Sequence, residues 1–147
     1  MPQDTTFDHT GFFTHDLAGT LEFWTGVMGF EAQPTVTRAA PWVEGFTGVP
    51  GATLKIAHVF GHGAHLEFIE FASAGLPPVP VPTQQPLNAH VCFKVADLQA
   101  VHDAILAGGG GNVGQITTIT EGGIAGSKGL YMRDPNGILI ELLQIVS

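Results

Sequence analysis

The amino-acid sequence predicts an α+β fold made of two copies of one strand–helix–three-strand module. A shift of 81 residues aligns the two halves at matching residues, which are His9 with His90, Asp16 with Asp97, Leu17 with Leu98 and Gly29 with Gly110. Each half also closes on an apolar strand that contains an acid, Glu67 in LEFIEF and Glu141 in LIELLQ. The 20 glycines among 147 residues indicate many tight turns, which is typical of β-rich proteins.

The first module covers about residues 5–73 and opens with a strand over residues 6–13. Asp16 is the expected N-cap of a helix whose apolar residues recur at helical spacing until Gly29 ends it. Three strands follow, at 31–40, 53–60 and 65–71.

A proline-rich connector at 74–88 separates the modules, with five of the chain's ten prolines. Proline cannot donate to a sheet and favours extended backbone, so this segment is expected to be semi-rigid. The second module, 89–147, repeats the order of the first. It has a strand at 89–95, a helix capped by Asp97 and ended by the glycines at 108–111, strands at 115–121 and 129–133, a DPNG turn and the final strand ILIELLQIV.

Composition excludes several classes of partner. The formal net charge is −8 with only five basic residues, which disfavours nucleic acid and large anionic ligands. A small oxygenated or mostly apolar substrate fits better. Cys92 is the sole cysteine, so an intrachain disulfide is impossible. The N-terminus lacks the pattern of a signal peptide, and no apolar run has the length of a membrane helix. We therefore expect a cytoplasmic protein that does not bind membranes.

The repeated histidine and acid predict a metal centre. An acid within an apolar strand is costly unless it is paired or bound to a metal. LEFIEF has two acids on opposite faces, and the repeat favours Glu67 as the inward one, with Glu70 at solvent or an interface. A lone histidine at a strand start is usually structural, but the in-register His90 favours a ligand role for His9. Two imidazoles and two carboxylates suit Zn²⁺, Ni²⁺, Co²⁺, Mn²⁺, Mg²⁺ or Fe²⁺.

Two further segments have alternative interpretations. The segment HVFGHGAH places His58, His62 and His65 close together, and a polar hairpin loop is the simpler interpretation. The alternative puts His58 near the cavity as a general base. The segment 37–52 has the length and composition of a loop that covers an active site or forms a dimer contact. The aromatic residues Phe13, Trp42, Phe46, Phe60 and Tyr131 are expected in the core or on the walls of the site.

The double module, the spacing of the two histidines and two glutamates, and the closing LYMRDPNGILIELLQ together resemble the vicinal oxygen chelate superfamily over residues 6–146. That group includes glyoxalases, bleomycin-resistance proteins and extradiol dioxygenases. The resemblance implies two paired βαβββ modules in a cupped, barrel-like mixed sheet that forms a single domain. It also implies a divalent metal held by His9, Glu67, His90 and Glu141, and a homodimer.

The resemblance leaves three functions open. The first is a metal-dependent lyase or isomerase that chelates a substrate through two oxygens and stabilises an enolate. Glu141 would leave the metal to act as the base while Glu67 remains. Lys55 lies near the position of the catalytic glutamate in the epimerases of this superfamily, and it could act as a base only if it were buried. The second is an Fe²⁺ extradiol dioxygenase, in which Glu67 would occupy the dioxygen position. The third is a ligand-binding or resistance protein without catalysis.

Overall fold

The computed structural model describes residues 3–72 and 80–146, and the chain divides into two compact units, Met1–Pro77 and Pro78–Ser147. Each unit carries a five-stranded mixed sheet with the same pattern of strand pairing. The α+β fold of two βαβββ modules is therefore confirmed. Of the predicted connector, residues 74–79 lie outside the described residues, and residues 80–88 form turns without helix or strand.

The sheet of unit 1, Met1–Pro77, has the order β1-β5-β4-β2, with β3 also paired to β4. Strand β1 is parallel to β5, whereas β2, β3 and β5 run antiparallel to β4. The strand predicted at 31–40 is thus divided into β2 and β3. The elements of unit 1 are β1 (Thr10–Phe13), α1 (Leu17–Gly26), β2 (Glu31–Ala32), β3 (Val36–Arg38), α2 (Pro41–Thr47), β4 (Leu54–Gly61) and β5 (Ala64–Phe71).

A tight hairpin fixes the register of β4 on β5. Its two central residues, His62 and Gly63, both have positive φ angles, 53° and 76°. Two positive φ values in a two-residue loop match the right-handed twist of the flanking strands. The register that results places His58 directly opposite Glu67.

The two faces of the β4–β5 hairpin have different partners. Ala57, Val59, Leu66 and Phe68 are buried on one face, where the Phe68 ring lies 5.2 Å from the ring of Trp24 in α1. The opposite face, which carries His58 and Glu67 by alternation, is called the site face below. The end of the site face that is farther from the hairpin turn packs against α2 through Leu54, Ile56, Ile69 and Phe71.

Helix α2 corrects the prediction of a loop over 37–52. Pro41 occupies the start of the helix, where a missing N–H costs nothing, and Gly48 ends it with a φ of 72°. Val43 is fully buried in a small cluster with Ala52 and Leu54, so the segment packs as part of the unit. Its roles as a lid or a dimer contact stay predictions.

Glu70 lies on the face of β5 opposite Glu67, as predicted, and its side chain contacts the start of α1. Its Oε2 accepts a hydrogen bond of 2.7 Å from the backbone N–H of Leu17, at the start of α1. Its Oε1 lies 3.3 Å from Lys55 Nζ. Together with Asp16, which accepts from Gly19 N as the predicted N-cap, Glu70 satisfies donors at the helix start.

Unit 2, Pro78–Ser147, repeats this arrangement. Its elements are β6 (His90–Lys94), α3 (Leu98–Ala107), β7 (Gly111–Asn112), β8 (Thr117–Thr118), β9 (Lys128–Arg133) and β10 (Leu139–Gln144). Asp97 caps α3 as predicted, and Gln144 Oε1 accepts from Leu98 N at 2.8 Å, as Glu70 does for α1. Ile105, Met132, Ile140 and Leu142 are fully buried. Within residues 3–72 and 80–146, no helix is long and apolar enough to cross a bilayer.

Candidate metal centre

In unit 1, His9 and Glu67 contact each other as the repeat predicts. His9 Nε2 lies 3.3 Å from Glu67 Oε1. Parallel pairing puts Gly11 beside Glu67, and a Cβ added at Gly11 would lie 3.5 Å from the Glu67 carboxylate. A side chain at position 11 would therefore be in van der Waals contact with the carboxylate, and glycine removes that contact.

A second imidazole reaches the same carboxylate. His58, opposite Glu67 on β4, places its Nε2 3.3 Å from Glu67 Oε2. Each oxygen of Glu67 thus faces a different histidine, and the Glu67 side chain is only 16% exposed. A carboxylate in that position is fixed in orientation by both contacts.

His65 extends the cluster along β5. Its Nε2 lies 2.9 Å from His58 Nδ1, so one of the two nitrogens carries the shared proton. Nitrogen atoms of His9, His58 and His65 lie within 4.8 Å of one another, close enough to hold a metal ion. The hairpin-loop interpretation is therefore correct only for His62, whose Nε2–H donates to the carbonyl of Met28. His58 and His65 lie on strands and belong to the site face.

Asp8 supports this cluster from outside. Its Oδ2 pairs with His9 Nδ1 and lies 3.9 Å from His65 Nδ1. The hydrogen bond to Asp8, followed by the charge of Glu67, raises the pKa of His9 above its usual value, and the same bond lowers the pKa of Asp8. A carboxylate on Nδ1 leaves Nε2 of His9 directed at Glu67, which is the arrangement seen around metal-bound histidines.

Unit 2 contains the second predicted pair. His90 Nε2 lies 2.9 Å from Glu141 Oε2. The ring of Tyr131 meets that of His90 edge-on, with centroids 5.1 Å apart. Cys92 is paired with Glu141 across the parallel strands, and burial, then the charge of Glu141, raises the pKa of its thiol. Burial and Glu141 likewise raise the pKa of Tyr131.

The predicted four-residue set thus consists of one His–Glu pair in each unit. Binding of one ion by both pairs stays a prediction. His58, predicted as a general base, lies beside Glu67, but Lys55 does not join these residues. It is paired with Glu70, and its position three residues before His58 puts it on the opposite face of β4. The sequence prediction omitted His65 as a site residue, although the alternation from His65 to Glu67 indicated a shared face.

Most of the aromatic residues predicted for the core or for the walls of the site are exposed. Phe13 and Phe60 lie on the site face of unit 1, where 71% and 41% of their surfaces are accessible. The Phe60 ring stacks on His65 with centroids 4.2 Å apart. Trp42 and Phe46 are exposed on α2. The histidine cluster therefore has apolar surface next to it.

Comparisons with known proteins identify the family of this chain. The sequence model of the Glyoxalase/Bleomycin resistance protein/Dioxygenase superfamily matches residues 6–142. A 2-epi-5-epi-valiolone epimerase from Actinomyces sp. is 30% identical over 155 residues, which cover 99% of this chain and 82% of that protein.

Solved structures show the same fold. A glyoxalase family protein from Bacillus cereus is similar with a TM-score of 0.82 at 18% identity, covering 100% of this chain and 99% of that one. A fosfomycin resistance protein from Listeria monocytogenes, crystallised with Mn(II) and sulfate, has a TM-score of 0.59 at 15% identity, covering 97% and 93% of the two chains. With a family match over nearly its whole length, this chain belongs to the Glyoxalase/Bleomycin resistance protein/Dioxygenase superfamily.

Proposed function

We propose that this protein is a metal-dependent epimerase that inverts a carbon next to the carbonyl of a small, uncharged hydroxyketone. The observation that carries the proposal is the His–Glu pair found in each unit, at 3.3 Å between His9 and Glu67 and 2.9 Å between His90 and Glu141. The 30% identical relative, named as an epimerase of a ketone, supports the reaction class.

The residues present fit a divalent metal ion. His9, Glu67, His90 and Glu141 would hold it as a mixed donor set of two imidazole nitrogens and two carboxylates, which suits divalent metal ions. All four side chains are partly exposed, from 16% for Glu67 to 41% for His90, so an ion can reach them. An ion held by these residues supplies Lewis-acid chemistry, which polarises a carbonyl and acidifies the neighbouring C–H.

Glu141 is the better candidate for the proton transfer. Glu67 is held between His9 and His58, one on each oxygen, whereas Glu141 forms an ion pair only with His90 among the residues that the structure describes. Glu141 is also the more exposed of the two acids, 24% against 16%. We infer that Glu141 removes the proton while Glu67 stays with its histidines. Inversion then requires that a proton return to the opposite face of the carbon, from a second group or from water.

The charge of the chain supports a small neutral substrate. A net charge of −8 with five basic residues leaves few partners for a phosphate or a coenzyme carrier. The exposed rings of Phe13 and Phe60 offer apolar contact for the carbon side of such a molecule. The first compound to test is 2-epi-5-epi-valiolone, from which the epimerase of Actinomyces sp. takes its name.

The test is a proton-exchange assay. The protein is stripped with a chelator, reloaded with each candidate ion in turn and incubated with 2-epi-5-epi-valiolone in D₂O. We expect an epimer that carries deuterium at the inverted carbon. We expect the Glu141→Gln variant to show neither formation of the epimer nor incorporation of deuterium. Absence of exchange with every ion would overturn the proposal. Oxygen uptake on catechols with Fe²⁺ would replace it with ring cleavage.

A further inference from the structure

We propose that unit 1 by itself holds a cation site, formed by His9, His58 and His65, that takes a borderline-soft divalent ion such as Zn²⁺, Co²⁺ or Cu²⁺. This site differs from the four-residue set above in two of its three ligands. The inference goes beyond the proposed function and does not depend on it.

The spacing of the nitrogens supports such a site. Two nitrogens bound 2.0–2.1 Å from one tetrahedral ion lie about 3.3–3.4 Å apart. His58 Nδ1 and His65 Nε2 are 2.9 Å apart, so they must separate by only a few tenths of an ångström when a cation replaces their shared proton. The centroids of the three rings are 5.1–5.5 Å from one another, so His9 is as close to His58 and His65 as these two are to each other, to within 0.4 Å.

The surroundings of the cluster also suit a metal. Asp8 pairs with His9 Nδ1, which fixes the orientation of that ring, and it lies 3.9 Å from His65 Nδ1. Phe60 stacks on His65 and restricts that ring further. The three histidines are 23–31% exposed, so they are ordered by packing yet open to an ion from solvent.

Comparison of the two units shows that these groups are additions to the shared pattern. Strand register pairs Glu67 with His58 in unit 1, but it pairs Glu141 with Tyr131 in unit 2. Two residues before each acid, unit 1 has His65 and unit 2 has Leu139. Asp8 before His9 corresponds to Ala89 before His90. The common module needs none of the three extra groups, so their presence together requires a separate explanation.

The donor set determines the class of ion. Neutral imidazole suits Zn²⁺, Cu²⁺, Co²⁺ and Ni²⁺, whereas Mg²⁺ and Mn²⁺ prefer carboxylate and water. Three histidines leave one position of a tetrahedral ion open. Because His9 belongs to both sets, an ion held by the three histidines competes with one held by the four-residue set.

The experiment removes the unit 2 pair and asks whether binding survives. The full-length variant His90→Ala/Glu141→Ala is titrated with Co²⁺, whose visible absorption reports tetrahedral nitrogen coordination, and Zn²⁺ is then added to displace it. We expect about one Co²⁺ per chain with a tetrahedral spectrum. Adding His58→Gln and His65→Gln, singly and together, should weaken binding by about 10–100-fold or more.

His62→Asn in the same background is the matched control. His62 lies in the same hairpin but bonds to Met28, so its loss should leave Co²⁺ binding unchanged. Circular dichroism and the metal-free melting temperature of each variant identify any that fails to fold, and the single variants then replace the double one. The proposal is wrong if the His90→Ala/Glu141→Ala chain binds no Co²⁺, or if binding survives loss of His58 and His65. Either result leaves the epimerase proposal standing, because that depends on the exchange assay.

Discussion

The two acids of LEFIEF provide the sharpest test, because the same substitution at each should have opposite consequences. Glu67 lies on the site face between His9 and His58, and Glu70 lies on the other face at the start of α1. We predict that Glu67→Gln weakens metal binding with little effect on folding. Glu70→Gln should destabilise the fold and leave metal binding intact.

The magnitudes follow from the contacts. The Glu70 carboxylate accepts a 2.7 Å hydrogen bond from Leu17 N and lies 3.3 Å from Lys55, which is 52% exposed. In Glu70→Gln, the amide oxygen still accepts the hydrogen bond from Leu17 N, but the loss of its negative charge costs about 1 kcal/mol. The variant also loses the ion pair with Lys55, which contributes about 0.2–1 kcal/mol at such exposure. The expected loss in the free energy of unfolding is about 1–2 kcal/mol. For Glu67, loss of a ligand should exceed the 10–100-fold effect of removing an outer-shell partner.

Two measurements separate the variants. Isothermal titration with Mn²⁺, which prefers carboxylate ligands to imidazole alone, gives the affinity. Thermal unfolding in a chelator gives the stability, at about 2–4 °C per kcal/mol for a chain of this size. The reasoning fails if Glu70→Gln lowers Mn²⁺ affinity as much as Glu67→Gln. It also fails if Glu67→Gln leaves the affinity unchanged, because the carboxylate between the histidines would then have no part in metal binding.

Two further predictions concern unit 2. A Cβ at Gly110 would lie 2.6 Å from the Arg133 carbonyl oxygen, whereas a Cβ at Gly111 would have no neighbour within 4 Å. Gly110→Ala should therefore lower the free energy of unfolding, measured in urea, by about 1–3 kcal/mol, and Gly111→Ala should leave it almost unchanged. Equal midpoints would refute the crowding argument. Glu141 contributes to the raised pKa of the Cys92 thiol, so Glu141→Gln should lower that pKa and speed alkylation of this sole cysteine at fixed pH. A slower reaction would contradict the direction of the shift.

Much of the fold could be predicted because local signals repeat. Asp16 and Asp97 begin the two helices as expected, and the apolar alternation of the long strands places Glu67 and Glu141 in their strands. Helix α2 was missed because its seven residues are too few to show a periodic apolar face. Two local signals could have identified it, namely Pro41 at its first turn and Gly48 at its end.

The site could be predicted only in part, for a physical reason. The repeat identifies His9 and His90 because they occupy equivalent positions, and the contacts with Glu67 and Glu141 follow from strand pairing. His58 and His65 break the repeat, so the same method could not assign them. Their contact depends on the register of the hairpin, which the positive φ angles of His62 and Gly63 determine. The face of Glu70 could be predicted from alternation, but its partner could not, because Leu17 N is 53 residues away in the chain.

The two units differ in the number of possible metal ligands that they carry. Where the units agree, each offers one imidazole and one carboxylate. Where they differ, unit 1 gains Asp8, His58 and His65, and unit 2 has Tyr131 beside His90. Tyrosine at the position of His58 provides a hydroxyl in place of a strong metal ligand, so unit 2 is less able to hold an ion by itself. A chain with one imidazole-rich half and one imidazole-poor half should therefore load its metal through unit 1. Removing His65 should slow Co²⁺ uptake in stopped-flow mixing more than removing His90 does, and the reverse order would show that loading does not begin in unit 1.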